Sequence, residues 1–231
     1  MKNIDNLTMY CLCLENKVLK AVENLNYVPV GLGNGKFSKD WTKDDTLQNI
    51  SHKNKYYSEY SFYYWFWKNV LPEAKENHWI GFCAYRDFWS NKKEITNNHN
   101  FKINKEKVPC VVLGKNIKLK DLVVQKIPDE WNGFNTILGE RMYINNLKFS
   151  KLIKRGLWSL IRNPSALFKS KRNIRFHFDM WHGNGNLDKA IDLLDDKDKK
   201  DFRNFTRTNN SFSRGCMFVC NSCMYVCMYV C

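Results

Sequence analysis

Short apolar runs alternate with polar segments along the first third of the chain. Thr8–Leu14 predicts a first strand, and a helical stretch follows through Val18–Leu25. Tyr27–Val30 predicts a second strand, running into the glycine-rich stretch Gly31 to Gly35. From Asn54 to Leu71 the period changes. Tyr56, Tyr60, Tyr63, Tyr64, Trp67 and Leu71 recur at helical spacing, and nine of the twelve residues from Tyr56 to Trp67 are aromatic. Such a stripe reads as a core helix. Trp79 to Trp89 then holds a buried strand, Ile80–Ala84, closing on the polar Arg86 and Asp87. In open α/β sheets, ligands bind just beyond the carboxyl ends of strands, which is where that pair falls.

The remaining pattern is sparser. Residues 90–107 are rich in Asn and Lys and read as a surface loop, while Cys110–Leu113 and Thr136–Leu138 are short strand-like runs. Leu147–Phe168 is amphipathic, with Leu152, Ile153, Leu157, Leu160 and Ile161 set among basic residues and Pro164 interrupting it. Leu187–Leu194 repeats apolar residues at helical spacing, and Asp198–Phe205 continues that helix on a charged face. Strands interspersed with helices predict an α/β fold. No linker divides the chain, so residues 1–222 read as a single domain and 223–231 as a low-complexity tail.

Charge changes the picture more than composition does. The formal net charge is +14, and the segment from Lys148 to Arg175 alone carries nine Lys and Arg with no acidic residue. A basic surface of this kind meets nucleic acid, anionic lipid or a phosphorylated small molecule, or simply stays solvated. A basic amphipathic helix in it predicts contact with an anionic membrane surface. No uncharged apolar stretch approaches the roughly 20 residues of a spanning helix, and the N-terminus lacks the apolar core of a signal peptide. The expected location is cytoplasmic, with peripheral contact at the inner face of the membrane.

Cys11, Cys13, Cys83 and Cys110 lie in strand-like runs and read as buried small hydrophobes. The other five cysteines crowd into the last sixteen residues, at spacings that suit neither a zinc site nor a disulfide framework. Cys-Met-Tyr-Val is what the four-base unit TGTA encodes when read in triplets. The tail therefore reads as a translated repeat, without expected function.

Three clusters can carry chemistry. Asp44, Asp45, Asn49, Ser51 and Asn54 precede the aromatic helix, where short polar side chains either cap it or line a pocket for a hydroxylated ligand. Glu59, set amid aromatics, is either a satisfied polar anchor or a wall of that pocket. His177, Asp179 and His182 offer metal-compatible donors without an established ligand spacing, and Trp181 beside them suits the apolar face of a sugar. Gly31 to Gly35 lacks the dinucleotide-binding spacing, and P-loop, nucleophile-elbow and zinc-protease motifs are absent.

Taken in order, DDTLQNISHKNKYYSEYSFYYWFWKN and WIGFCAYRDFW resemble the hallmark of a bacterial family of glycosyltransferase-like proteins from capsule, exopolysaccharide and lipopolysaccharide biosynthesis. PVGLG, PDEW, MWHG and MFVCNS match further landmarks, so the resemblance covers Tyr10 to Ser222. It implies a single GT-A-like, Rossmann-like nucleotide-sugar-binding α/β domain, with a mixed central sheet flanked by helices. The implied activity is transfer of a sugar from a nucleoside-diphosphate-sugar donor to a glycan or lipid-linked glycan acceptor. Carried over position by position, Asp45, Asn49, Ser51 and Asn54 belong to the donor or acceptor pocket, with Glu59 beside them. Tyr85 and Arg86 match the Tyr-Arg pair at the strand end, and Arg86 would hold the diphosphate. Asp179 and His182 match the later Asp and His and become the catalytic candidates.

Two departures stand out. Asp87 replaces a second basic residue of the family, and the pattern stops short after MFVCNS, so the domain reads as C-terminally incomplete. The usual Asp-x-Asp motif is not recognisable. A divalent cation, Mn or Mg, or else Arg86 with the basic 148–175 segment, would then offset the charge of the leaving group. The competing readings are a degenerate, non-catalytic relative and a basic nucleic-acid-binding protein. Nucleic acid is not the expected partner, because the aromatics form a helix stripe rather than a stacking sheet.

Overall fold

The near-continuous apolar runs of Leu7–Cys13 and Trp79–Ala84 are satisfied by a sheet buried on both faces. The computed structural model of the chain describes residues 6–14, 22, 25–85, 87–90, 119–213 and 217–222. In chain order the elements begin with the strands β1 (Leu7–Cys13), β2 (Val28–Gly31) and β3 (Thr42–Lys43). The helices α1 (Asn54–Tyr57) and α2 (Tyr60–Asn69) follow, then β4 (Trp79–Ala84), β5 (Thr136–Leu138) and β6 (Arg141–Tyr143). The helices α3 (Phe149–Arg162), α4 (Ile174–His182), α5 (Asn186–Ile191) and α6 (Asp196–Thr208) come next, and β7 (Ser211–Ser213) and β8 (Phe218–Asn221) close the order. The described residues form two compact units, 6–90 with 119–139 and 217–222, and 140–213.

The first unit is a mixed α/β structure around a six-stranded sheet of order β3-β2-β1-β4-β8-β5. β1 pairs in parallel with β2 and β4, and β2 in parallel with β3, whereas β8 runs antiparallel to both β4 and β5. Side chains alternate between the faces as a period of two requires. Leu12, Ile80, Phe82, Phe218 and Cys220 pack on one face against Phe62, Tyr63, Trp65 and Phe66 of α2. Met9, Cys11, Cys13, Cys83 and Val219 pack on the other, with Val22, Tyr27, Val123 and Trp131. Each aromatic so buried contributes on the order of 2–3 kcal/mol, so α2 is a core element, but through a different face from the predicted stripe. Of that stripe only Tyr63 and Leu71 are buried, Tyr56 and Tyr60 are exposed, and Phe62, Trp65 and Phe66 do the packing. Gly81 in β4 lets the sheet close: a Cβ there would stand 2.2 Å from the Met9 sulfur.

Several expectations need correction. The helix predicted from Asn54 is broken at Ser58, whose φ of 50° interrupts the turn between α1 and α2. Asn54 stabilises the break by donating to the Ser58 carbonyl at 2.9 Å. Of the predicted helix Val18–Leu25 only Val22 and Leu25 are described, both buried; the strand Cys110–Leu113 and most of the 90–107 loop lie outside the described residues. Cys220 belongs to the core rather than to the tail. It is fully buried in β8, and burial pushes its thiol up to about 12. Ser222 closes that strand, donating from its hydroxyl to the Lys75 carbonyl at 2.9 Å.

The second unit is helical, with a two-stranded antiparallel ladder formed by β6 and β7. Leu152 and Leu160 of α3 meet Phe176 and Met180 of α4, and Gly156 admits Met180 to close contact. α3 ends at Arg162, and Pro164 opens a 3-10 turn, because proline cannot continue the hydrogen-bond ladder. The charged stretch does not extend the preceding helix: α6 starts afresh at Asp196, with Asp196 and Asp198 in its first turn, where carboxylates suit the helix dipole. Arg172 is buried and donates to the carbonyls of Asn145, Leu147, Ala166 and Leu167. One of the nine basic residues is thus structural.

Candidate functional site

The parallel run of β1 to β4 sets all four carboxyl ends on one edge of the sheet. From β1 the chain moves outward to β2 and β3, then returns to the other side of β1 as β4. Connections that leave two adjacent strands in opposite directions open a crevice at their carboxyl ends. By that rule the switch point of this sheet lies between β1 and β4. Residues at this edge are Leu14 after β1, Leu32 to Gly35 after β2, Asp44 and Asp45 after β3, and Tyr85 and Asp87 after β4. The ladder runs one step past the strands, since the Leu32 N–H donates to Cys13 and the Tyr85 N–H to Leu12, both at 3.0 Å.

The glycine run serves the scaffold. A Cβ on Gly31 or Gly35 would strike the Phe37 ring, which stacks on Trp41 at 5.5 Å. Gly33 has a φ of 64°, and its N–H donates to Asp44 Oδ1 at 2.9 Å. Asp44 is the hub of this edge and is fully buried. Its Oδ2 accepts from the Ser61 hydroxyl at 2.5 Å, and Asn54 donates to the same hydroxyl oxygen at 2.8 Å. Burial raises the Asp44 pKa, opposed by the bonds from Ser61 and Gly33. One carboxylate thereby ties the loop after β2 to α2.

The loop from Thr46 to Ser51 is fastened to the same helix. Trp65 Nε1 donates to the Thr46 carbonyl at 2.9 Å, and Asn69 Nδ2 donates to the Gln48 carbonyl at 2.9 Å. Asn49 accepts from the Ser51 N–H and hydroxyl and donates to the Leu47 carbonyl. Leu47 is 76% exposed with a φ of 49°, an unusual pairing for a branched apolar residue.

The sequence-derived site residues therefore separate. Asn49 and Ser51 bond to each other, and Asn54 joins Asp44 through Ser61. Asp45 is exposed at the edge, beside the buried Asp44. Glu59 is half-buried at the start of α2, where its carbonyl accepts from the Phe62 and Tyr63 N–H groups. Tyr85 is half-buried against the second core face, and the exposed Asp87 closes a tight turn, its N–H donating to Ala84 at 3.0 Å. Arg86 lies outside the described residues. Asp44 and Ser61 are the positions that carry more of the architecture than their sequence context announces.

Asp179 and His182 belong to the second unit, at the end of α4. Asp179 Oδ1 accepts from the Gly185 N–H at 3.0 Å and so holds the turn of Gly183 to Gly185, where both glycines have positive φ. The exposed His182 lies against Phe178 in a tilted ring pair, centroids 4.4 Å apart. His177 packs against Trp181 and Phe212, and burial, then the charge of His182, lowers its pKa to about 4. Among the described residues no three His, Cys, Asp or Glu side chains converge to hold a metal ion.

Residues 11–228 match a family described as a domain of unknown function, DUF4422. The chain belongs to that family. No curated protein matches this DUF4422 chain. Among solved structures it is similar to the apo structure of WbbM, described as a bifunctional glycosyltransferase, at 20% identity with a TM-score of 0.62. The match covers 96% of the DUF4422 chain and 35% of the WbbM chain, so it spans about a third of that protein's length. The α/β architecture with a mixed central sheet, expected from the resemblance, is the fold shared with that glycosyltransferase.

Proposed function

We propose that this DUF4422 protein is a glycosyltransferase that moves a sugar from a nucleoside-diphosphate sugar to a surface-glycan acceptor of capsule, exopolysaccharide or lipopolysaccharide type. The observation that supports this most directly is the crevice at the carboxyl ends of β1 and β4, in a fold shared with a glycosyltransferase. The acceptor is a glycan or a lipid-linked glycan, and the 148–175 segment brings the protein to an anionic membrane surface on the cytoplasmic side.

In this reading the donor diphosphate sits at the edge of the first unit. Arg86 provides charge-assisted hydrogen bonds to it, while Asp45, Tyr85 and Asp87 flank the donor. Asn49, Ser51, Asn54 and Glu59 shape the adjoining loop. An acceptor oxygen forms a bond to the anomeric carbon as the bond to the diphosphate breaks, and the hydroxyl proton goes to a base. Asp179, with His182 three residues on, is the candidate for that base that the resemblance supplies, an ionised carboxylate being able to accept the proton. Positive charge on Arg86 offsets the charge of the departing diphosphate.

Isothermal titration with a panel of nucleotide sugars tests the reading. A member of the panel should bind, and Arg86→Ala should weaken it by about 1.5–3 kcal/mol, the range for hydrogen bonds to charged groups, with the apo melting temperature unchanged. No binding by the folded chain would favour a degenerate relative. Tight binding of single-stranded oligonucleotides instead would favour a nucleic-acid-binding protein.

A further inference from the structure

We propose that α3 and the turn after it form a docking face for an anionic lipid bilayer. Four residues of α3 turn inward, Leu152, Gly156, Ser159 and Leu160. The apolar arc does not stop at that buried edge. Phe149, Ile153, Leu157 and Ile161 recur every four residues along the next strip of the helix, and each is between 45% and 60% exposed. Trp158 is 72% exposed and Phe168, in the following turn, 70%. Large side chains left to water in one contiguous strip mark an interaction surface.

Charge selects the partner. Lys154, Arg155, Arg162, Lys169 and Lys171 are exposed on the same helix and turn, and no acidic residue occurs between Lys148 and Arg175. Arg172 is buried and Arg175 pairs with Asp188 at 2.7 Å, so neither adds to this face. A bilayer surface offers negative headgroups directly above apolar chains, which accommodates a basic row beside an aliphatic strip with tryptophan at the boundary. Nucleic acid matches the charge but leaves Ile153, Leu157 and Ile161 in water. A second copy would set one basic row against another. With fourteen residues α3 is about 21 Å long at 1.5 Å per residue, and no described helix is long and apolar enough to cross a membrane. The helix therefore lies along the surface. This deepens the proposed function by naming where a lipid-linked acceptor would be met, and it rests on that reading for the acceptor alone.

Flotation of the full chain with phosphatidylcholine vesicles, with and without about one-third phosphatidylglycerol, tests it. Binding should require the anionic lipid and fall as salt rises toward about 0.5 M. Leu157→Glu and, independently, the double variant Lys154→Glu/Arg162→Glu should each lower partitioning by about tenfold or more. Trp158→Phe should keep binding while losing most of the vesicle-induced blue shift in fluorescence. Nucleotide-sugar affinity should be unchanged in Leu157→Glu and Trp158→Phe, which separates failure of this face from failure of the donor site. Equal binding to neutral vesicles, or binding untouched by both sets of variants, would overturn the proposal. So would self-association that Leu157→Glu abolishes in a chain that ignores vesicles.

Discussion

Replacing Asp44 by alanine should destabilise the protein by about 2–4 kcal/mol. The carboxylate is fully buried and accepts two hydrogen bonds, from the Gly33 N–H and the Ser61 hydroxyl. Hydrogen bonds to a charged group are worth about 1.5–3 kcal/mol each, so their loss costs about 3–6 kcal/mol in all. Part of this is offset, because the variant no longer buries a carboxylate whose desolvation raises its pKa. Asp44→Asn keeps the shape and one acceptor and should cost only about 1 kcal/mol. Urea unfolding followed by tryptophan fluorescence reads these values, with Trp41 and Trp65 close to the network. The pH dependence gives an independent check. A carboxyl with a raised folded-state pKa contributes stability that is full below the ordinary carboxylate value and is lost as pH climbs through the raised one. Asp44→Asn should remove that part of the slope. If Asp44→Ala unfolds within about 0.5 kcal/mol of the parent, the range of neutral surface changes, the network does not hold the edge together.

Four further outcomes are expected. His177 is neutral in both states above its ordinary 6.5; as pH falls toward about 4 the unfolded chain takes up the proton first, so stability should drop over that window. The full effect is at most ~3 kcal/mol, and partial exposure of the ring reduces it to about 1–2 kcal/mol; His177→Phe should flatten the profile in unfolding curves at pH 7 and 5. Asp179→Asn retains an acceptor for the Gly185 N–H but loses the charge, so transfer should fall at least about 100-fold with melting temperature and donor affinity kept; full activity would remove Asp179 from the mechanism. Asp45→Asn should alter donor affinity at unchanged stability, whereas Asn54→Ala should lose about 1–3 kcal/mol of stability, because it strips partners from Ser58 and Ser61, as differential scanning fluorimetry would show.

The parts of the fold that were legible in the sequence are those set by local periodicity. Thr136–Leu138 is a strand with the predicted bounds, and Ile80–Ala84 extends by one residue to Trp79. A core helix stands where the aromatics predict one, although Phe62, Trp65 and Phe66 rather than Tyr56 and Tyr60 join Tyr63 on its buried face. Breaks were less legible. Ser58 adopts positive φ because Asn54 and Ser61 reward the turn with side-chain hydrogen bonds, a tertiary gain invisible to spacing. The new start at Asp196 could have been read from its run of acidic residues, which favours a helix N-terminus over a helix interior. Asp44 and Asp45 are adjacent carboxylates of identical type, and only the sheet decides which one is buried. Cys220 shared its residue type and spacing with the tail, and only its pairing with Ile80 and Thr136 places it in the core.

The same distinction bears on the landmark residues through which the chain resembles its family. Asn49, Ser51, Asn54, Trp65 and Asn69 are engaged in fastening the Thr46 to Ser51 loop to α2 or in shaping it internally. Lys68 adds to that surface, its Nζ lying 3.4 Å from the centre of the Trp67 ring. Motifs of this kind specify a scaffold edge, and loss of activity on mutating them would follow from loss of the loop. Asp45 and Leu47 are exposed in that loop, the latter at positive φ, and Tyr85 and Asp87 follow β4 at the same edge. Strain and exposure that packing does not require are characteristic of binding surfaces. These positions surround the carboxyl ends of the parallel strands, where topology independently opens the crevice. Strand order is thus what carries the proposed donor site to this edge of the sheet.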